Sequence, residues 1–356
     1  MRCAVLNVLL AGGVLALALP GAGTAAERAV PRTEPAVGAA ERIDLWPAGQ
    51  VPGEPASAPA PRVIERSDNP ALPDRYVDGV SAPYMVVYRP AHPNGSALLV
   101  VPGGGYQRIV LDKEGTALVP AFAEQGGVTL FVLRYRLPTA CAEHAATLDP
   151  DRVGTRHACP HSTDPRDRQA ALADAQRALR VIRHDAARWH LDPHRIGVIG
   201  FSAGGHIAAR LSTGFATALP GLNDAIDHES ARPDFALLMY PVIDMGAHAH
   251  SGSRERLLGP NPDAALERQF SMQHHVTKDT PPTFLVHAQD DNVVSVHNSL
   301  LYYGALLQAG VPTEMHLFAH GGHGFGVRLP PDLTTTQWPT LALRWMQAPH
   351  PKATTP

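Results

Sequence analysis

Cysteine is scarce in this chain, with three among 356 residues: Cys3, Cys141 and Cys159. Charge is sparse too, since 18% of residues are Asp, Glu, Lys or Arg against 44% hydrophobic, the balance of a globular protein rather than a disordered one. No stretch concentrates lysine and arginine, which excludes the electrostatic footprint of a nucleic-acid binder. Neither Gly-x-Gly-x-x-Gly nor a Gly-Lys-Ser/Thr ending occurs, so the glycine-rich segments do not read as phosphate cradles. Long apolar runs are missing outside residues 4–19, where Arg2 precedes the run and Pro20 and the small residues Thr24, Ala25 and Ala26 follow it. One basic residue, a short apolar core and a small-residue end predict a secretory signal over residues 1–26 and an exported product, periplasmic or extracellular. The alternative is a membrane anchor. Stable membrane insertion is not expected, because the run is short for a span, contains Gly12 and Gly13, and is followed by no lipidation cysteine. Removing the segment takes away Arg2 and no acid, which moves the formal net charge of −3 by one unit to −4.

Loss of that segment leaves Cys141 and Cys159, and an even count in an exported protein predicts a disulfide closing a surface loop. His144, His157 and His161 lie close by and offer a zinc alternative, but the spacings match no common zinc pattern and no metal is expected. Residues 27–80 are rich in alanine and proline and read as an extended arm that docks Trp46 onto the body, a flexible linker being the alternative. Residues 81–348 read as one catalytic body, with no repeat and no composition break, and residues 349–356 as a tail.

Within the body, strands are predicted at 84–88, 97–101, 128–134, in the short apolar run before Gly200, and at 234–240, 283–287 and 314–318, and continuous apolar runs such as 97–101 imply burial on both faces. Helical spacing is expected at 116–124, from Asp164-Pro165 to about 186, at 203–213, at 297–308 and near 335–346. Residues 241–280 read as a polar excursion, and Arg177, Arg180 and Arg183 as a solvated helix face. Strands alternating with helices predict an α/β fold: a doubly wound, mostly parallel sheet with helices on both faces and no large cap domain.

Chemistry concentrates where predicted strands end. Gly200-Phe201-Ser202-Ala203-Gly204 sits between a strand and a helix, and the flanking glycines let the chain turn sharply enough to raise the serine oxygen beside the helix N-terminus. The plain alternative is a turn whose serine caps the helix. A serine hydroxyl needs a base and a group that orients the base, and in open α/β sheets such groups gather beyond the carboxyl ends of the strands. Two loops there supply Asp290-Asp291 and His320-Gly321-Gly322-His323-Gly324. Glycines clear space around His323, which is favoured over His320. Neighbouring carboxylates on an extended segment point opposite ways, so one faces the histidine, and Asp291 is favoured over Asp290. Pro102-Gly103-Gly104-Gly105 follows another strand, where side-chain-free residues can aim amide N–H groups at a developing negative oxygen, together with the N–H of Ala203. His206 reads as a packed or supporting histidine. Tyr106, Arg108 and Arg254 are candidate substrate contacts.

These segments resemble the α/β hydrolases over roughly 84–346. Within them the chain is most similar to bacterial acetylxylan-esterase-like carbohydrate esterases, through Leu45-Trp46-Pro47, Pro102-Gly103-Gly104-Gly105-Tyr106, Phe131-Val132-Leu133-Arg134-Tyr135-Arg136 and Gly200-Phe201-Ser202-Ala203-Gly204-Gly205-His206. Further matches are Ser253-Arg254 with Leu257-Leu258-Gly259, Thr280-Pro281-Pro282-Thr283-Phe284, and Gly321-Gly322-His323-Gly324. The resemblance implies Ser202 as nucleophile, His323 as base, Asp291 as its orienting acid, and the N–H groups of Gly103 or Gly104 with Ala203 as oxyanion donors. Pro102 stands where many lipases open the loop with histidine, which leaves open which glycines donate. It implies a cofactor-free secreted serine esterase that takes acetyl or other short acyl groups from saccharides such as xylan fragments. The alternatives are a feruloyl esterase, a peptidase or, from a different class, a non-catalytic binding module on the same fold.

Overall fold

The computed structural model describes residues 28–29, 40–53, 61–138 and 167–349. The predicted signal (1–26), Cys141, Cys159, the histidines beside them and most of the tail lie outside the described residues.

Twelve strands are described: β1 (Arg28–Ala29), β2 (Glu41–Asp44), β3 (Arg62–Glu65), β4 (Arg75–Asp78), β5 (Tyr84–Tyr88), β6 (Ala97–Val101), β7 (Ile109–Val110), β8 (Thr129–Arg134), β9 (Ile196–Phe201), β10 (Ala236–Met239), β11 (Thr283–Ala288) and β12 (Thr313–Phe318). Eight form the main sheet in the order β12-β11-β10-β9-β6-β8-β5-β2. From β12 to β8 all neighbours are parallel, while β5 and β2 add antiparallel at one edge. The interior strands are continuous apolar runs because both of their faces are covered. Leu99, Ile196, Val198 and Leu238 join one buried cluster; Leu98, Val100, Ile199 and Leu237, which alternate with them, join another.

The first face is covered by α1 (Asp167–His184), α2 (Ala203–Gly214) and α5 (His297–Gln308), through residues such as Leu179, Ile207 and Tyr302. The second is covered by the turn at Val119–Gln125 and by α6 (Trp338–Gln347), through Phe122, Trp338 and Trp345. The result is the doubly wound sheet that the alternation predicts. Several local expectations change. Thr116–Leu118 is a 3-10 turn and Val119–Gln125 a π-type turn rather than one α-helix, in a segment where Pro120 has no N–H to give. The expected polar excursion contains α3 (Ser251–Leu258) and α4 (Ala264–Gln269), whose first turns are capped by His250 and Asp263.

The arm is more built than its composition suggests. Its β2 pairs with β5, and β3 pairs between β1 and β4 in a separate four-stranded antiparallel sheet completed by β7. Trp46 is buried, its Nε1 donates to Asp174 at 3.3 Å, and the Arg177 guanidinium lies over its ring at 4.9 Å. Arg177 is therefore no solvated surface residue: it is buried, donates to the Leu45 carbonyl and pairs with Asp224 and Asp227. Arg180 and Arg183 are also engaged, with Asp227 and Asp234.

Candidate active site

The turn from β9 into α2 raises Ser202 out of the sheet. Its φ of 52° lies in the left-handed region that a non-glycine residue occupies only under constraint. The constraint is close packing: a side chain on Gly200 would fall 2.4 Å from the Gly204 carbonyl oxygen, and one on Gly204 would fall 2.1 Å from that of Val101. The Ser202 N–H is tied to the Met239 carbonyl and the Ser202 carbonyl to the Val242 N–H, so the backbone at the end of β10 fixes the elbow.

Three strand-end loops converge on this serine. Ser202 Oγ lies 2.9 Å from His323 Nε2, and His323 Nδ1 lies 2.7 Å from Asp291 Oδ2. Asp291 Oδ1 accepts from the Val293 and Val294 amides at 2.9 Å each, and its Oδ2 also faces His287 Nε2 at 3.3 Å. Burial alone would raise the Asp291 pKa, but hydrogen bonds from His287, His323 and Val294 outweigh it and hold the carboxyl well below its usual range. Asp290 points away: it is exposed and accepts from the Gly322 amide at 2.8 Å and faces His320 Nδ1 at 3.4 Å. His320, with 73% of its side chain exposed, belongs to that outer pair, while the side chain of His323 is 17% exposed. An imidazole with one nitrogen on a hydroxyl and the other on an ionised carboxylate can take the hydroxyl proton and hold it.

The glycine loop is fixed peptide by peptide. Tyr135 OH donates to the Pro102 carbonyl at 2.9 Å, and the Gly103 N–H donates to Glu114 Oε2 at 2.7 Å, so the 102–103 peptide is held at both ends. Gly103 is therefore unavailable as an oxyanion donor, a correction to the expectation that it supplies an N–H. The Gly103 carbonyl accepts from the Val110 N–H at 3.0 Å. In a trans peptide the next N–H points the other way, away from the Val110 side of the loop, so Gly104 is the candidate donor here. Gly104 has φ 135°, and a side chain there would meet the Arg108 carbonyl oxygen at 2.0 Å. The Ala203 N–H, in the first turn of α2, has no intrahelical partner and is the second candidate donor.

This fold and geometry can be set beside known proteins. A BD-FAE family model matches residues 162–306. A solved structure of an acetyl ester-xyloside bifunctional hydrolase from Caldicellulosiruptor lactoaceticus is 33% identical, with a TM-score of 0.64, and the match covers 86% of this chain and 95% of that one. The chain belongs to the acetylxylan-esterase-like carbohydrate esterases of the α/β-hydrolase superfamily. Among curated relatives of this esterase family, an acetylxylan esterase from Xylanibacter ruminicola is 32% identical over 247 residues, and an endo-1,4-beta-xylanase B from Butyrivibrio fibrisolvens 33% over 230. These alignments cover 68% and 65% of this chain but 43% and 32% of the relatives, so the chain spans less than half the length of either.

The candidate substrate contacts fare differently. Tyr106 is fully buried, with its hydroxyl 2.6 Å from His206 Nδ1, and so is no substrate contact. His206 Nε2 faces the Phe270 carbonyl at 2.8 Å. A carbonyl only accepts, so Nε2 carries the hydrogen and Nδ1 accepts from Tyr106. Burial, with the Arg210 charge, pushes the His206 pKa down to about 3, which keeps this ring neutral and structural. Arg254, partly exposed, pairs with Glu267 at 2.8 Å within the α3–α4 excursion. Arg108 lies over the Tyr76 ring at 4.9 Å and braces the glycine loop through its backbone.

Sequence reasoning missed four residues at this site. His250, which caps α3, feels the His323 charge; burial first, then that charge, lowers its pKa. Arg256 donates to the Gly105 carbonyl at 3.1 Å. Glu114 and Tyr240 lie behind the loops. Tyr240 directly follows β10, the position where groups of an open α/β sheet gather, and that signal was available. Glu114 stands in the charged run Asp112-Lys113-Glu114, which reads as a surface turn, and no local signal marks it as buried.

Proposed function

We propose that this chain is an exported serine esterase that removes acetyl or other short acyl groups from saccharides such as xylan fragments, through an acyl-enzyme. The observation that carries the reading is the hydrogen-bonded run from Ser202 through His323 to Asp291, at 2.9 and 2.7 Å. The named relatives, an acetylxylan esterase and an acetyl ester-xyloside hydrolase, support the substrate class. The apolar segment at residues 4–19 supports export.

In this mechanism Ser202 Oγ attacks the ester carbonyl while His323 Nε2 takes its proton. Asp291 keeps the Nδ1 proton facing it and stabilises the imidazolium. The carbonyl oxygen becomes an oxyanion facing the Gly104 and Ala203 amides. His323 returns the proton to the leaving sugar hydroxyl, which departs and leaves acyl-Ser202. A water that gives its proton to His323 then releases acetate and restores the serine.

The test is acetate release from acetylated xylo-oligosaccharides by wild type and Ser202→Ala. The variant is expected to lose roughly 10⁴-fold or more of the turnover. Equal release by both enzymes removes Ser202 from the mechanism, and faster cleavage of a feruloyl ester than of an acetyl ester removes the substrate class.

A further inference from the structure

The reaction just described makes no use of Glu114, a buried carboxyl directly behind the loop that faces the oxyanion. Its Oε2 accepts from the Gly103 N–H at 2.7 Å and its Oε1 from the Tyr240 hydroxyl at 2.9 Å. The Tyr240 oxygen in turn accepts from the Gly326 N–H at 3.0 Å, and Gly326 lies three residues after His323. The Tyr240 ring stands edge-on to the His323 ring, with centroids 5.1 Å apart, and packs against Phe325 at 4.5 Å. Gly326 touches the Glu114 segment from the other side, since a side chain there would fall 2.1 Å from the Lys113 carbonyl oxygen. One carboxyl therefore ties together the glycine loop after β6, the end of β10 and the histidine loop after β12. Burying such a group costs several kcal/mol unless donors meet it, and here a donor meets each of its oxygens.

We infer that Glu114 and Tyr240 are positioning residues that set the Gly104 amide and the His323 ring relative to Ser202, a reading that rests on the proposed hydrolase chemistry. By claiming the Gly103 N–H, Glu114 fixes the peptide plane from which the Gly104 N–H is aimed. By holding the Tyr240 hydroxyl, it fixes the wall on which the imidazole rests. Groups of this kind act in the transition state, where a displacement of about 1 Å costs about 100-fold in rate.

The experiment compares Glu114→Ala, Glu114→Gln and Tyr240→Phe in the full chain. It reads kcat and KM for 4-nitrophenyl acetate, the inhibition constant of a short alkylboronic acid that forms a tetrahedral adduct on serine, and near-UV circular dichroism. Glu114→Ala should lower kcat about 30- to 100-fold with KM within about threefold, and the boronate constant should rise in the same proportion. Glu114→Gln, whose amide oxygen can still accept from Gly103, should recover kcat to within about 10-fold of wild type. Tyr240→Phe keeps the ring beside His323 but loses the tie, and should cost about 3- to 10-fold in kcat. Wild-type kcat in a folded Glu114→Ala, or a loss of kcat without weaker boronate binding, overturns the inference. If Glu114→Ala does not fold, wild-type kcat and boronate binding in Tyr240→Phe overturn it instead. Ser202→Ala is run alongside: its retention of full turnover condemns the hydrolase reading, whereas its inactivity beside a fully active Tyr240→Phe condemns the positioning role alone.

Discussion

On the open side of the active-site wall, Ser202, His323 and Asp291 form a chain of hydrogen bonds through which a proton can move, and the imidazole at its centre keeps some contact with solvent. On the buried side, Tyr106 with His206 and Glu114 with Tyr240 are sealed from water and paired with groups that fix their protonation or orientation. In the proposed mechanism the first set needs a histidine that can take up a proton and return it. The second contains a histidine that burial holds neutral down to about pH 3. Two histidines near one serine thus serve opposite ends, and what separates them is the partner on the far nitrogen. His323 faces a carboxylate there, and His206 a carbonyl.

The sharpest way to break this contrast is to remove charge from the open side. Asp291→Asn should cost about 10³- to 10⁴-fold in kcat, because an amide can turn its N–H₂ toward Nδ1 and favour the wrong imidazole tautomer. Steady-state kinetics on an acetyl ester checks this, with unfolding measured in parallel. Next in size is a change far from the chemistry. Trp46→Ala should lower stability by about 3–5 kcal/mol in denaturant unfolding and leave turnover per folded molecule close to wild type. An equal loss of turnover would mean that the arm shapes the site as well as the fold.

The buried side is tested by pH. The His206 pKa is lower in the folded chain, about 3, than the ordinary value of 6.5, so between these limits the unfolded chain binds the extra proton. Stability should therefore decline as pH falls from about 6.5 toward 3, by a few kcal/mol in total, and His206→Gln should flatten that decline. Unfolding midpoints across this range decide it. Tyr106→Phe, which leaves His206 Nδ1 without its donor, should cost about 1–3 kcal/mol at neutral pH. Smallest of all is Asp290→Asn, expected to change kcat by less than about threefold, since an amide oxygen can still accept from Gly322. A large loss there would make the outer carboxylate part of the machinery.

What could be read in advance follows from how far each feature depends on distant chain. Strands β6, β8, β9, β10 and β11 were legible because burial on both faces writes itself as unbroken apolar sequence. The preference for Asp291 over Asp290 was legible for a similarly local reason, the alternation of side chains along an extended segment. Helices α3 and α4 were not, because they are eight and six residues long and are defined more by capping side chains than by an apolar stripe. The arginines of α1 were misjudged because periodicity assigns a face and says nothing of what packs on it. Asp224 and Asp227, which bury Arg177, lie 47 and 50 residues away in sequence. Tyr106 was misassigned for the same reason. A tyrosine beside a glycine loop looks like a ligand contact until its hydroxyl is found on a histidine 100 residues later.

The position of His323 has a consequence for folding. The serine elbow follows β9, but the histidine comes only after β12, the last of the described strands and the outermost of its sheet. Under the proposed mechanism, a folding chain that has raised its serine still lacks its base until that edge docks. On that reading, ester hydrolysis would report that the β12 edge of the sheet has docked.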